Sequence, residues 1–147
     1  ILGCVGTAGI LVFNGANVGV AGGLFHAVGE AGRFWGLILP HGLLEITAVV
    51  VAGGAGLRLG WALIDPGDRT RSQALTEEGR RSVIVVLGLV GAFVTAGLIE
   101  GFVTGSALPT PARVGLGVAV EAAFLAYVWR FGRSAEAEEA ATDLVPG

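Results

Sequence analysis

Four long apolar stretches, separated by short polar or proline-containing segments, account for most of the chain. They cover residues 1–28, 40–64, 82–108 and 112–131, which we name spans A to D. Charge is nearly absent from these stretches, and the only ionisable residue in span C is Glu100. Apolar stretches of more than about 18 residues with few charges are typical of transmembrane helices. The pattern therefore predicts an all-α fold, a polytopic bundle of about four transmembrane helices.

A proline near the start of span B predicts where its helix begins. One helix over residues 34–64 would be about 46 Å long, whereas the hydrocarbon core of a bilayer is only about 30 Å thick. Proline favours the first turn of a helix. We therefore expect the helix of span B to begin at Pro40. Residues 34–39 should form an interfacial or re-entrant segment, anchored by Arg33 and Trp35.

Two polar segments lie outside the spans. Residues 69–81 are polar and compatible with a helix, which predicts a surface helix between spans B and C. Residues 133–147 are acidic and lack an apolar pattern, which is typical of a disordered tail. We expect residues 1–132 to form a transmembrane domain. Because the chain has no methionine and opens inside an apolar run, we interpret it as an N-terminally truncated fragment.

Composition agrees with a membrane protein and excludes a soluble globular domain. Hydrophobic residues make up 53% of the chain, charged residues 14%, and the mean hydropathy is +0.75. Soluble domains usually carry about 25% charged residues, so this chain has too little polar surface to cover a water-facing globule. Composition therefore predicts that the lipid bilayer is the first partner of this chain.

The arginines predict the orientation and the compartment. All nine basic residues are arginine, which indicates a GC-rich, bacterial genome. Only Arg33 and Arg113 lie near the opposite side of the membrane from the remaining seven, which are Arg58, Arg69, Arg71, Arg80, Arg81, Arg130 and Arg133. By the positive-inside rule, the B–C connection and the acidic tail face the cytoplasm. The sequence thus predicts a multi-pass protein of the bacterial inner (plasma) membrane, and no nucleic-acid binding.

Three acids inside the spans are the main candidates for function. Counted at 1.5 Å per residue from the non-cytoplasmic face, Glu45 lies about 7 Å deep, Glu100 about 12 Å and Glu121 about 13 Å. A charged side chain at the centre of a bilayer costs roughly 2.5–3.5 kcal/mol on insertion scales. We therefore expect the three carboxylates to share one layer and to face partners or a cavity.

Further polar residues join this layer. His41 and Glu45 are four residues apart and share one helical face. The predicted intramembrane polar cluster comprises Asn14, Asn17, His41, Glu45, Glu100 and Glu121. Three interpretations are open: hydrogen bonds that hold helices together, a metal site with at least three ligands, and a pathway for protons or ions. No nucleophilic set is recognisable, and we expect neither a catalytic residue nor a cofactor.

Glycines recur every four residues in two spans, as Gly15, Gly19 and Gly23 and as Gly97, Gly101 and Gly105. That spacing places each set on one helical stripe, where the backbone of a neighbouring helix can approach closely. The stripes predict two helix–helix contacts.

Several stretches resemble one family of bacterial membrane proteins. The segment of residues 34–45 contains Pro40-His41-Gly42-x-x-Glu45, and a small-residue run follows to Gly60. These stretches resemble the stage II sporulation protein M family. Two further stretches share the resemblance: Asn14 and Asn17 before Gly22-Gly23, and Leu98-Ile99-Glu100-Gly101-Phe102. The resemblance covers most of residues 14–131 and implies an all-helical membrane protein. In spore formers the family member works with two peptidoglycan-degrading enzymes at the septum during engulfment.

The resemblance implies a non-enzymatic scaffold or partner in a cell-envelope, peptidoglycan-remodelling complex. Expected partners are other membrane or cell-envelope proteins, including peptidoglycan hydrolases, and a second copy of the chain. The alternatives are a transporter or channel subunit that uses the acidic cluster and an intramembrane metal-dependent enzyme.

Overall fold

The computed structural model describes the backbone of residues 2–143 and the side chains of residues 4–132. Four long helices follow one another along the chain: α1 Leu2–Ala27, α2 Ala31–Ile64, α3 Arg71–Ile99 and α4 Thr110–Asp143, with a short π-helix, Glu100–Thr104, directly after α3. No strand occurs in this part of the chain. All four long helices are long and apolar enough to cross a membrane. The predicted all-α architecture with four spans is confirmed.

Helix α2 is the centre of the bundle, because it contacts α1, α3 and α4. The buried core lies mainly between α2 and α3, and α4 packs against it through Val120 and Phe124. Three of the five core residues are alanine, and small residues let helices approach closely in a membrane. The core consists of Leu44, Ala48, Leu89, Ala92 and Ala96.

Helix α2 runs through Pro40 without a break. The predicted helix start at Pro40, with residues 34–39 as a separate segment, is therefore wrong. Proline removes one backbone hydrogen bond from a helix, whereas ending the helix inside a bilayer would leave several backbone groups without partners. Pro40 is fully buried and packs against Gly117 of α4. A Cβ atom at Gly117 would lie 2.7 Å from the Pro40 Cα.

Helix α3 includes the polar segment that the sequence assigned to a separate surface helix. It begins at Arg71 with a capping box, in which Thr70 and Gln73 exchange side-chain and backbone hydrogen bonds. The helix then continues to Ile99 with no proline to interrupt it. Most of residues 69–81 thus form the first turns of α3 itself, and the prediction of a separate surface helix is wrong.

Helix α4 continues past the expected end of the transmembrane domain, to Asp143. Its backbone therefore includes residues 133–143, where the sequence predicts a disordered tail, while residues 144–147 lie outside the described residues. The division of the chain at residue 132, the cytoplasmic position of the tail and the loss of an N-terminal part stay predictions.

The glycines that make close helix contacts are not those of the two predicted stripes. At all six stripe positions, a Cβ atom would meet nothing within 4 Å from a neighbouring helix. The predicted stripe contacts are therefore absent from the part of the bundle that the structure describes. Close contacts to other helices occur instead at Gly22, Gly36, Gly53, Gly56 and Gly117.

Candidate functional site

A cavity of about 430 Å³ lies between α1 and α2, and three of the predicted polar residues line it. Asn14 comes from α1, whereas His41 and Glu45 come from α2, one turn apart. The remaining wall is apolar apart from two glycines, and its larger side chains are Leu11, Val18, Ile38, Ile46, Val49 and Val50. A concave, mostly apolar site with a few convergent polar groups is the usual form of a ligand site.

The two asparagines bond to their own helix. The side-chain amide of Asn14 donates to the carbonyl of Ile10 at 2.9 Å, and that of Asn17 donates to the carbonyl of Phe13 at 2.7 Å. Bonds of this kind to the preceding turn satisfy a short polar side chain locally. In Asn14 the side-chain carbonyl oxygen stays available as an acceptor at the cavity.

His41 connects α2 to the π-helix. It is 8% exposed, and its Nδ1 lies 3.3 Å from the hydroxyl of Thr104, which is equally buried. The Thr104 hydroxyl donates to the carbonyl of Ile99 at 3.3 Å. Its oxygen is therefore left to accept from His41 Nδ1–H, which leaves Nε2 as the acceptor of the neutral ring.

The π-helix is also joined to α4, through Arg113, whose place in the sequence indicated only membrane topology. The Arg113 guanidinium donates to the Thr104 carbonyl and, at 3.0 Å, to the Thr110 hydroxyl. Its Nε is buried with no hydrogen-bond partner among the described residues. π-helical turns occur frequently at functional sites, and this one brings α2, α3 and α4 together around Thr104. No local sequence signal marked Thr104.

Glu121 connects α4 to α2 at a different place. The hydroxyl of Thr47 donates to Glu121 Oε1 at 2.7 Å. The second carboxylate oxygen, Oε2, is buried and has no hydrogen-bond partner in the described part of the chain. Glu121 is therefore used for helix pairing, and it does not line the cavity between α1 and α2.

The other two acids are exposed. Neither the Glu45 nor the Glu100 carboxylate forms a hydrogen bond or ion pair with another residue in the range 4–132. Glu45 lines the cavity, whereas Glu100 begins the π-helix and lies outside it. The depth of 7 Å for Glu45 assumed a helix start at Pro40; measured from Ala31, where α2 begins, Glu45 is about 21 Å along the helix. Convergence of the whole polar cluster stays a prediction.

Within the described residues, no three side chains of His, Cys, Asp or Glu come together as a metal site would need. The acids are distributed over separate places, so the donor set for a metal-dependent reaction is not assembled there. Zinc sites, for comparison, take three or four protein ligands around one ion.

A second polar site lies between the C-terminal end of α2 and the N-terminal end of α3, and the sequence did not predict it. Glu78 is only 8% exposed, and its carboxylate pairs with Arg58 of α2 at 3.3 Å and with Arg81 at 3.2 Å. The i,i+3 spacing of Glu78 and Arg81 was a visible signal of such a pair. The burial of Glu78 depends on α2, which the local sequence does not reveal. This site fastens α2 to α3.

The four apolar helices define a polytopic membrane protein. A sequence model of the family described as stage II sporulation protein M matches residues 1–105, and the chain belongs to this family. The matched range includes α1 to α3, the cavity and the π-helix, whereas α4 lies beyond it.

One curated relative is an uncharacterized protein of Methanocaldococcus jannaschii. It is 33% identical over 91 residues, which cover 57% of this chain and 51% of the relative. The chain thus spans about half the length of that relative. No solved structure matches the chain.

Proposed function

We propose that this protein is a non-enzymatic scaffold in a cell-envelope complex that remodels peptidoglycan, within the inner membrane of a bacterium. Its partners are other membrane or cell-envelope proteins, with peptidoglycan hydrolases foremost among them. The ends of α2 and α3 that carry the Glu78 site face the cytoplasm, where the arginines are concentrated.

The observation that carries this proposal is the way in which polar side chains inside the spans are used. His41 bonds to Thr104, and Thr47 bonds to Glu121, so that each contact joins one pair of elements. Hydrogen bonds between transmembrane helices hold a bundle in one arrangement. A bundle whose elements are joined at these two places suits a protein that positions partners.

The exposed carboxylate of Glu100 supports the proposal that a partner protein binds near the C-terminal end of α3. A charge that faces hydrocarbon is costly, roughly 2.5–3.5 kcal/mol at mid-membrane, and Glu100 has no partner among residues 4–132. Gly97 and Gly101 lie beside it, and both have open space around them. A helix of a partner protein could therefore approach this face closely and cover the carboxylate.

The test is to block this face without disturbing the bundle. In the source cell, the tagged protein is reversibly crosslinked and purified, and cell-wall hydrolases are quantified against an unrelated four-span membrane protein of equal abundance. We expect enrichment with the wild type and a loss of most of it with Gly97→Leu. The matched control is Gly88→Leu, because Gly88 is equally open and lies about two and a half turns away, on the opposite side of α3.

Two results would contradict the scaffold proposal. One is the absence of any hydrolase enrichment with the wild type. The other is that Glu100→Gln and Glu121→Gln abolish the effect of the protein on the cell wall while the protein stays inserted, abundant and associated with its partners. That second result would favour transport through the acidic residues.

A further inference from the structure

We propose that the cavity between α1 and α2 binds a small apolar molecule that carries a protonated amine. This inference goes beyond the scaffold proposal and does not depend on it, because Glu100 does not line this cavity. It rests on three features of the cavity: the kind of polar groups it presents, its charge, and the nature of its wall.

The polar groups that line the cavity are left with hydrogen-bond acceptors. Glu45 contributes a carboxylate with no partner among the described residues. Asn14 has committed its amide to the Ile10 carbonyl, so its side-chain oxygen remains. His41 is held with Nδ1–H towards Thr104, which leaves Nε2 as an acceptor. Such a set fits a ligand group with several donors, and an ammonium group has three and no acceptor.

The charge of the cavity favours a cation over an anion. Glu45 is the one acidic residue that lines the cavity, and no arginine lines it. An anion would be repelled by the carboxylate, and a neutral ligand would leave it unpaired in an apolar setting. A protonated amine neutralises Glu45 and forms a charge-assisted hydrogen bond, which is stronger than a bond between neutral groups.

The wall determines the rest of the ligand. Branched aliphatic side chains from both helices surround the three polar residues, and Gly15 and Gly42 leave space between them. At about 430 Å³ the cavity is within the size range of small-molecule sites. A compact apolar body with one ammonium group would bury its surface against these side chains while the charge reaches Glu45.

The probe is 1-adamantylamine, a rigid apolar cage with one ammonium group, and its neutral counterpart is 1-adamantanol. Binding to the full chain is measured by calorimetry in nanodiscs of phosphatidylcholine, a lipid whose headgroup has no primary amine. We expect saturable one-to-one binding of the amine, and affinity for the alcohol weaker by about tenfold or more, since a hydrogen bond to a charged group contributes about that factor.

Two variants locate the site. Glu45→Gln should weaken amine binding at least about tenfold and leave the affinity for the alcohol nearly unchanged. Glu100→Gln is the matched control, because Glu100 is also an exposed, unpaired acid but lies outside the cavity. Gly15→Leu, which fills open space in the wall, should weaken both probes. Thermal unfolding of each variant confirms that the fold is retained.

The experiment overturns the proposal if the amine fails to bind, if it binds no better than the alcohol, or if Glu45→Gln and Glu100→Gln weaken it equally. Repeating the titration with phosphatidylethanolamine in the nanodiscs identifies the source of the ammonium group. Competition by this lipid indicates that a lipid headgroup occupies the cavity, whereas unchanged affinity indicates a free amine.

Discussion

Gly117 of α4 packs directly against the backbone of Pro40 in the third turn of α2, so that a Cβ atom at position 117 would lie 2.7 Å from the Pro40 Cα and closer still to its carbonyl oxygen. Backbone atoms in the middle of a buried helix cannot move aside as a flexible side chain can. The contact therefore requires glycine at this position for steric reasons, and it fixes the distance between the two helices.

We expect Gly117→Ala to destabilise the bundle by about 1–3 kcal/mol, which is the usual effect of inserting a methyl group into a filled site. The matched control is Gly115→Ala, because Gly115 lies on the same helix with open space around it. That control should be neutral or slightly stabilising, since alanine favours a helix. Thermal unfolding in a single detergent compares the two, and equal midpoints would contradict the close contact.

The hydrogen bond between His41 and Thr104 gives a second prediction. Thr104→Val removes the hydroxyl that accepts from the imidazole and should destabilise the protein by about 1 kcal/mol. Thr104→Ser keeps a hydroxyl and should largely preserve the stability of the protein.

Nitrogen NMR of His41 should report protonated Nδ1 in the wild type and a mixture of tautomers in Thr104→Val. Thr95→Val is the control, because the Thr95 hydroxyl bonds only to its own helix at Gly91. Equal destabilisation by both valine variants would argue against the contact.

The buried carboxylate near the opposite ends of α2 and α3 gives a third prediction. Glu78→Gln should destabilise the bundle by about 1 kcal/mol, a value kept small because both arginine partners are largely exposed to solvent. Glu77→Gln, next to it in sequence, removes only an exposed pair with Arg69 and should change stability less. High salt should reduce the destabilisation caused by Glu78→Gln only slightly, since the Glu78 carboxylate is shielded from solvent. A larger effect at Glu77 would contradict this assignment.

The topology can be tested by cysteine labelling after Cys4 is replaced by alanine. An impermeant thiol reagent added outside intact cells should label Ala107→Cys, in the connection between the π-helix and α4. It should label Thr76→Cys only after the membrane is opened. Both positions are exposed in the structure. The opposite pattern would reverse the orientation and leave the four-helix fold unaffected.

The number and places of the spans were predictable because hydropathy alone determines them. The course of α2 was not, because continuity through Pro40 depends on the bilayer and on Gly117, far along the chain. The spacing of the glycines marked one face of each helix, but the local sequence could not reveal that no neighbouring helix within residues 4–132 packs against either face. Likewise, the sequence singled out Asn14, His41 and Glu45, but their common cavity depends on how α1 packs against α2.

The length of α2 has a consequence for the membrane that the protein can occupy. Exposed indole rings lie near both ends of this helix, at Trp35 and Trp61, and they are about 39 Å apart along its axis at 1.5 Å per residue. Tryptophan collects at the two water interfaces of a bilayer, and a bilayer with its headgroups is about 40–45 Å thick. The distance between these two rings therefore matches α2 to a bilayer of about this thickness. In a markedly thinner bilayer α2 must tilt, and the three helices that pack against it must tilt as well.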